Sequence, residues 1–327
     1  MIRQPPLLLL TRNQKKRHNI AMSKQAIHTL ATLAILGTVA AGVAIARPVP
    51  SSSGSRSVQH ATPSPQSLVP PQVAIPRPNQ EELDKLNADL KEYIAKSPDQ
   101  ELLRKWEPML TVQMPRANSA VVPVHTGVRT TQRHNGFVAT ATNSNFDILF
   151  EGDSITDFWQ QRGPQGGAGV LSNYFGGVKV ANFGVSGDTT QGVLWGLQNG
   201  EGQGHKPKVV MLMIGTNNGS NSAEEVAEGV GAIVFELRKD FPNAKILLLA
   251  IFPRTDNPAT HRKNDETNKI IAKLDDGKHV FFRNINDKFL NAQGELIGFR
   301  NDNLHPNAAG YEIWASAVAP TLKKWIN

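Results

Sequence analysis

The chain has 327 residues, 39% of them hydrophobic, which is enough for one or two domains with a real core and too apolar for a disordered polymer. Its formal net charge of +7 sits at the start: Arg3, Arg12, Lys15, Lys16, Arg17 and Lys24 face no acidic residue within 1–46, and taking those away from the 35 basic residues leaves 29 against 28 acidic. A body so close to neutral lacks the electrostatic footprint of a nucleic-acid binder, and the absence of cysteine excludes disulfides, thiolate metal sites and a Cys nucleophile.

Residues 29–46 (TLATLAILGTVAAGVAIA) carry no charge and end in Ala44-Ile45-Ala46, ahead of Arg47 and Pro48. Basic, apolar and small-x-small regions in that order predict a cleavable secretory signal over 1–46, cut after Ala46. The protein is then secreted or periplasmic, with no stable membrane insertion. The competing reading is an N-terminal membrane anchor, because about 18 apolar residues just reach across a bilayer. The richness in Ala, Gly and Thr favours cleavage, and the signal reads well from Met22 as the start. Residues 47–78 are rich in Pro and Ser and lack periodicity, which predicts a flexible linker.

A helical extension over 79–130 comes next. Asn79 and Glu82 form a capping-box pattern, and Leu83, Leu86, Leu90 and Ile94 recur at helical spacing, predicting a helix over 79–95 and a second over 99–106. Residues 107–145 show no clear pattern. The domain over 131–327 is plainer. Short β-branched runs at 147–151, 178–183, 208–214, 245–251 and 279–283 predict five strands, and the near-continuous apolarity of the third and fourth fits parallel strands buried on both faces. Ser222 and Glu225 cap a helix whose stripe is Val226, Val230, Ile233, Val234 and Leu237, and a last helix covers about 307–325. Strands alternating with helices predict an α/β domain with a parallel sheet, whose ligands sit beyond the carboxyl ends of the strands.

Four short blocks fall at those ends. They are Gly152-Asp153-Ser154, Gly184-Val185-Ser186-Gly187-Asp188, Gly215-Thr216-Asn217-Asn218 and Asp302-Asn303-Leu304-His305. Singly each is a turn; together they hold what acyl transfer requires. Ser154 supplies a hydroxyl that needs a base, His305 is a base at neutral pH, and Asp302 can hold the imidazole by its other nitrogen. The backbone N–H groups of Ser154 and Gly187 and the amide of Asn217 can receive an oxyanion. H-E-x-x-H, G-x-G-x-x-G and G-K-[ST] are all absent, so no metal and no cofactor is expected.

These blocks resemble those of the SGNH (GDSL-type) hydrolases, named for the Ser, Gly, Asn and His that here are Ser154, Gly187, Asn217 and His305. The stretches 181–201, 206–218 and 246–254 are similar to the catalytic-subunit branch of the platelet-activating-factor acetylhydrolases and their bacterial relatives. The resemblance covers about 130–327 and implies a three-layer, flavodoxin-like α/β/α sandwich with a five-stranded parallel sheet. It implies a Ser154–His305–Asp302 triad, a Ser154/Gly187/Asn217 oxyanion hole, and an acyl pocket walled by Ile155, Thr216 and Leu304. The first block reads Gly-Asp-Ser-Ile where the short name has Leu, and Ser186 stands where acetylhydrolases often have Gly.

Two bulky branched residues in that pocket predict a short acyl group, acetyl first. An exported enzyme meets acetylated glycans, so the expected partner is a glycan or small-molecule ester. A phospholipid acetyl ester is the alternative, and a non-catalytic glycan-binding protein on a hydrolase fold is the alternative from another class. Asp153, Asp188 and Asn218 are read as turn-holding residues, and Trp195, Trp314 and Phe252 as core. Arg254 is open between an ion-pair role and binding. Oligomeric state and the role of 79–130 are not legible.

Overall fold

A computed structural model describes residues 68–327, so the predicted signal and most of the predicted linker lie outside the described residues. The described chain falls into two compact units, Pro76–Ala117 and a larger one made of 68–75 with Asn118–Asn327.

The smaller unit is a helix pair, α1 (Gln80–Lys96) and α2 (Gln100–Leu110). Asn79 and Glu82 cap α1 reciprocally, satisfying two N–H groups that the helix start would otherwise leave free. Leu83 and Ile94 are its buried residues. The Asn87 amide bonds the backbone of Val112 in both directions, at 2.9 and 2.8 Å, tying α1 to the end of α2. Helix α2 continues past the expected stop at 106 and through Pro108.

The larger unit begins earlier than the expected boundary at 131. Residues 118–130 belong to it, and so do residues 68–75 of the expected linker, where Val73 is buried. Its elements are α3 (Thr131–Asn143), β1 (Ile148–Gly152), the one-turn α4 (Ser154–Asp157), α5 (Ala168–Phe175), β2 (Val180–Asn182), α6 (Thr190–Gly196), β3 (Val209–Met213), α7 (Ala223–Asp240), β4 (Lys245–Leu249), α8 (Pro258–Ile271), β5 (Val280–Arg283) and α9 (Ala308–Ile326). The five strands form one sheet in the order β2-β1-β3-β4-β5, and every pairing is parallel. The chain steps outward from β1 to β2 and then returns to the other side of β1 as β3. That reversal opens a crevice beyond the carboxyl ends of β1 and β3.

Side-chain alternation explains the layering. Leu149, Val210, Leu212, Ile246 and Leu248 turn to one face and pack with Val226, Val230, Ile233 and Leu237 of α7. Ile148, Phe150, Met211, Met213 and Leu247 turn to the other and pack with Trp159, Trp314, Val318 and Leu322. A period of two in the strands thus feeds two apolar cores, each closed by helices. Helix α7 is buried nearly all round because residues 68–75 cover it as well: a Cβ at Gly231 would stand 2.6 Å from Val73 Cγ2.

Candidate active site

Strand β1 delivers the first group. Asp153 is extended, at φ −100° and ψ −150°, and its carboxylate accepts the Ile155 N–H at 3.0 Å, so α4 starts on Ser154 at the strand's end. Ser154 is 6% exposed. Burial pushes the Asp153 carboxyl up to about 7, and the hydrogen bond from Ile155 acts against it.

The loop before α9 delivers the next two. Ser154 Oγ lies 2.9 Å from His305 Nε2, and His305 Nδ1 lies 2.8 Å from Asp302 Oδ2. With a carboxylate opposite Nδ1, that nitrogen donates and Nε2 is left to accept the serine proton. Asp302 Oδ1 also accepts the N–H groups of Leu304 and His305, at 3.0 and 2.9 Å. This tight turn is closed by Asn303 at φ +54°, a left-handed position that Asn tolerates. Partial burial would raise the Asp302 carboxyl, but the bonds from the His305 N–H and ring and from Leu304 outweigh it and hold it below the usual carboxylate range.

The opposite rim comes from the ends of β2 and β3. Gly187 has φ +81°, which a side chain would strain, and its surface is exposed. Asn217 spends one amide hydrogen on the Asp188 carbonyl at 2.9 Å, leaving the other to donate. The neighbouring Thr216 is buried, and its hydroxyl accepts from Arg254 Nη1 at 3.0 Å and Asn264 Nδ2 at 3.1 Å. Arg254 forks onto Asp256 at 2.7 and 2.5 Å, and that pairing holds the Asp256 carboxyl below its ordinary value. Arg254 is therefore an ion-pair partner that also fixes Thr216.

The structure thus brings Ser154, His305 and Asp302 into one hydrogen-bonded line. Ile155 is buried in the apolar cluster that Leu304 packs against. Asp188 bonds its own turn through Thr189 N–H at 2.9 Å, and Asn218 ties the 215–221 loop to Thr190. Trp314 and Phe252 are core; Trp195 is half-buried, its ring 4.3 Å from His125 and 4.6 Å from His134. Among the described residues no group of three or more His, Asp or Glu is placed to hold a metal ion.

Sequence reasoning missed a buried charge cluster behind this rim. Arg129 is fully buried and donates through Nε to Asp188 at 2.8 Å, through Nη2 to Glu151 at 3.2 Å and through Nη1 to Glu201. His134 Nδ1 meets the other Glu201 oxygen at 2.8 Å. Burial pushes the Glu151 carboxyl up to about 8, with the attraction of Arg129 opposing the shift and the repulsion of Glu201 adding to it. One signal was available: an acidic residue inside the apolar strand ILFEG must find a buried partner. Which partner was not readable, because Arg129 is 22 residues away in a stretch without periodicity.

The sequence profile of the GDSL-like Lipase/Acylhydrolase family matches residues 150–313. Over 182 residues the chain is 37% identical to platelet-activating factor acetylhydrolase IB subunit alpha2 of Rattus norvegicus, covering 55% of this chain and 77% of that one. The Gallus gallus protein of the same name is 35% identical over 204 residues, covering 60% and 86%. A solved structure of a platelet activating factor protein from Streptococcus pneumonia superimposes at TM-score 0.50 with 23% identity, over 58% of this chain and 91% of that one. That last likeness concerns the fold.

Proposed function

The chain belongs to the GDSL-like lipase/acylhydrolase family of ester hydrolases, and from that premise we propose that it is an exported serine esterase that removes acetyl groups from a carbohydrate or another small alcohol. The observation that carries the mechanism is the unbroken hydrogen-bonded line Ser154–His305–Asp302.

In this reading Ser154 Oγ attacks the ester carbonyl while His305 Nε2 takes its proton. The carbonyl oxygen becomes an oxyanion held by the N–H groups of Ser154 and Gly187 and by the free amide hydrogen of Asn217. Asp302 stabilises the imidazolium. The imidazolium then protonates the departing alcohol, and water, activated by the same nitrogen, releases the acetate and restores Ser154. Ile155, Thr216 and Leu304 wall a small acyl pocket. Glycan esters are the first choice of substrate because of the predicted signal over 1–46. Among the described residues no helix is long and apolar enough to cross a membrane. A phospholipid acetyl ester is the second reading, supported by the names of the mammalian and avian relatives. The non-catalytic binding reading has no support in a site that keeps every reacting group.

The test is a series of p-nitrophenyl acetate, butyrate and octanoate with the enzyme and its Ser154→Ala variant. Rapid acetate cleavage that the variant lacks is expected. A preference for octanoate would overturn the small pocket, and an active Ser154→Ala would overturn the serine mechanism. Mass determination of the exported protein should find a chain beginning at Arg47; a retained 1–46 would favour the anchor.

A further inference from the structure

The three oxyanion donors proposed above lie on three separate chain segments: Ser154 beyond β1, Gly187 beyond β2 and Asn217 beyond β3. Their mutual placement to a few tenths of an ångström decides what they are worth, because donors must already be aimed where charge develops. We propose that Arg129 and Arg133, which precede the matched family region, are positioning residues that lock these segments together as one oxyanion hole. This rests on the esterase reading of the same site.

The contacts converge on residues 184–188 from both ends. Arg133 Nη2 donates to the Gly184 carbonyl at 2.6 Å and to Asp157 Oδ1 at 2.9 Å. Asp157 Oδ2 in turn accepts the Ser186 N–H at 3.2 Å and the Ser186 hydroxyl at 2.8 Å. At the far end, Asp188 receives Arg129 Nε on one oxygen and the Thr126 hydroxyl, at 3.1 Å, on the other. Gly187 therefore sits between two clamped neighbours, with Val128 directly over it: a Cβ at Gly187 would lie 3.4 Å from Val128 Cγ1.

The same guanidinium reaches the other two segments. Arg129 Nη2 bonds Glu151, three residues before Ser154 on β1. Through Asp188 it reaches Asn217, because the Asp188 carbonyl is what orients the Asn217 amide. A planar fork with five donors can join three segments at fixed angles, and a lysine ammonium cannot. Burying one cation among three carboxyl groups is a poor way to gain stability, since desolvation offsets most of the attraction. Placing three catalytic segments in register accounts for the arrangement where stability alone does not. The segment leading into the two arginines is itself anchored: Asn118 donates to Glu225 O and Glu228 Oε2, and Val124 N–H bonds Gln191 O.

Arg133→Gln is the first variant, because the Arg133 side chain is 39% exposed and its loss strands one carboxylate, Asp157, and leaves the buried Arg129 cluster intact. Arg129→Lys is the second, and kcat, KM and Tm on p-nitrophenyl acetate are read for both, beside Asn217→Ala. Misplacing donors by about an ångström predicts kcat lower by roughly 10- to 100-fold. KM should stay within about twofold and Tm near that of the parent, and Arg133→Lys should recover part of the loss. In the Asn217→Ala background the Arg129→Lys penalty should shrink, because part of it acts through Asn217. If Asn217→Ala loses activity while a folded Arg133→Gln keeps full kcat, the positioning role is wrong and the oxyanion hole stands. If Asn217→Ala keeps full activity, the oxyanion reading beneath it fails instead. Should Arg129→Lys not fold, Arg133→Gln alone decides.

Discussion

The two sides of the proposed catalytic crevice are held in opposite ways. The base side is one short turn: Asp302 and His305 are three residues apart, their side chains are 45% and 19% exposed, and the bonds between them close within that turn. The frame behind the proposed oxyanion donors is long-range and dry, while Gly187 itself is open to solvent. Arg129 reaches partners 22, 59 and 72 residues away, and all four side chains are at most 1% exposed. A base that must shuttle a proton and let an alcohol leave tolerates a local, wet mounting. Donors that gain their value from preorganisation need a rigid one with little water.

Variants can break each side separately. Ser154→Ala removes the nucleophile common to both, so kcat should fall by about 10⁴-fold or more, leaving only what binding and the oxyanion donors supply. Steady-state hydrolysis of p-nitrophenyl acetate reads this. Asp302→Asn should cost the base side about 10²–10⁴-fold, because an amide no longer selects the imidazole tautomer with its proton on Nδ1. Asn217→Ala should cost the oxyanion side about 10²–10³-fold in kcat with KM nearly unchanged. If Asn217→Ala instead raised KM alone, the residue would be a binding group and the rigid side would have no catalytic meaning.

The same contrast decides what was legible in the sequence. Local features were readable because their physics is local. Both capping boxes are present as expected, and each of the five strands overlaps its predicted range: β1 is shifted by one residue and the other four are trimmed by one or more where pairing ends. Asp302 and His305 meet because a three-residue spacing in a tight turn leaves them little choice. Helices α3, α4, α5, α6 and α8 were not singled out: α8 is polar over most of its length, and only its Asn257 cap and Pro258 mark the start. The clasp of Arg129 and Arg133 was illegible for a different reason. A buried ion cluster is written as isolated residues scattered over 129–201, and only the fold puts them together. The unit boundary at Asn118 was missed on the same ground, since the residues that join 118–130 to the larger unit lie on α6 and α7.

The smallest effect is also the sharpest test of the comparison, because the two sides carry acids shifted in opposite directions. The Glu151 carboxyl is raised from 4.5 to about 8 in the folded protein. Between those values the folded state keeps a proton that the unfolded chain has released, so stability falls as pH rises through that window, and the loss is complete above about 8. Asp302 is lowered below 3.8, so its contribution is present above that pH and disappears as pH falls through its folded value. Glu151→Gln keeps the shape and an acceptor for Arg129 but never ionises. Thermal unfolding should therefore show this variant more stable than the parent by at least about 2–4 °C at pH 8.5, with the gap closing toward pH 4.5. Asp302→Asn should behave inversely, falling below the parent at neutral pH and approaching it only as pH drops through the lowered folded value of Asp302. Parallel curves for Glu151→Gln and its parent would mean that Glu151 is ionised in the fold. The oxyanion side would then hold three charged carboxylates around one arginine, and its dryness would no longer be what separates it from the base side.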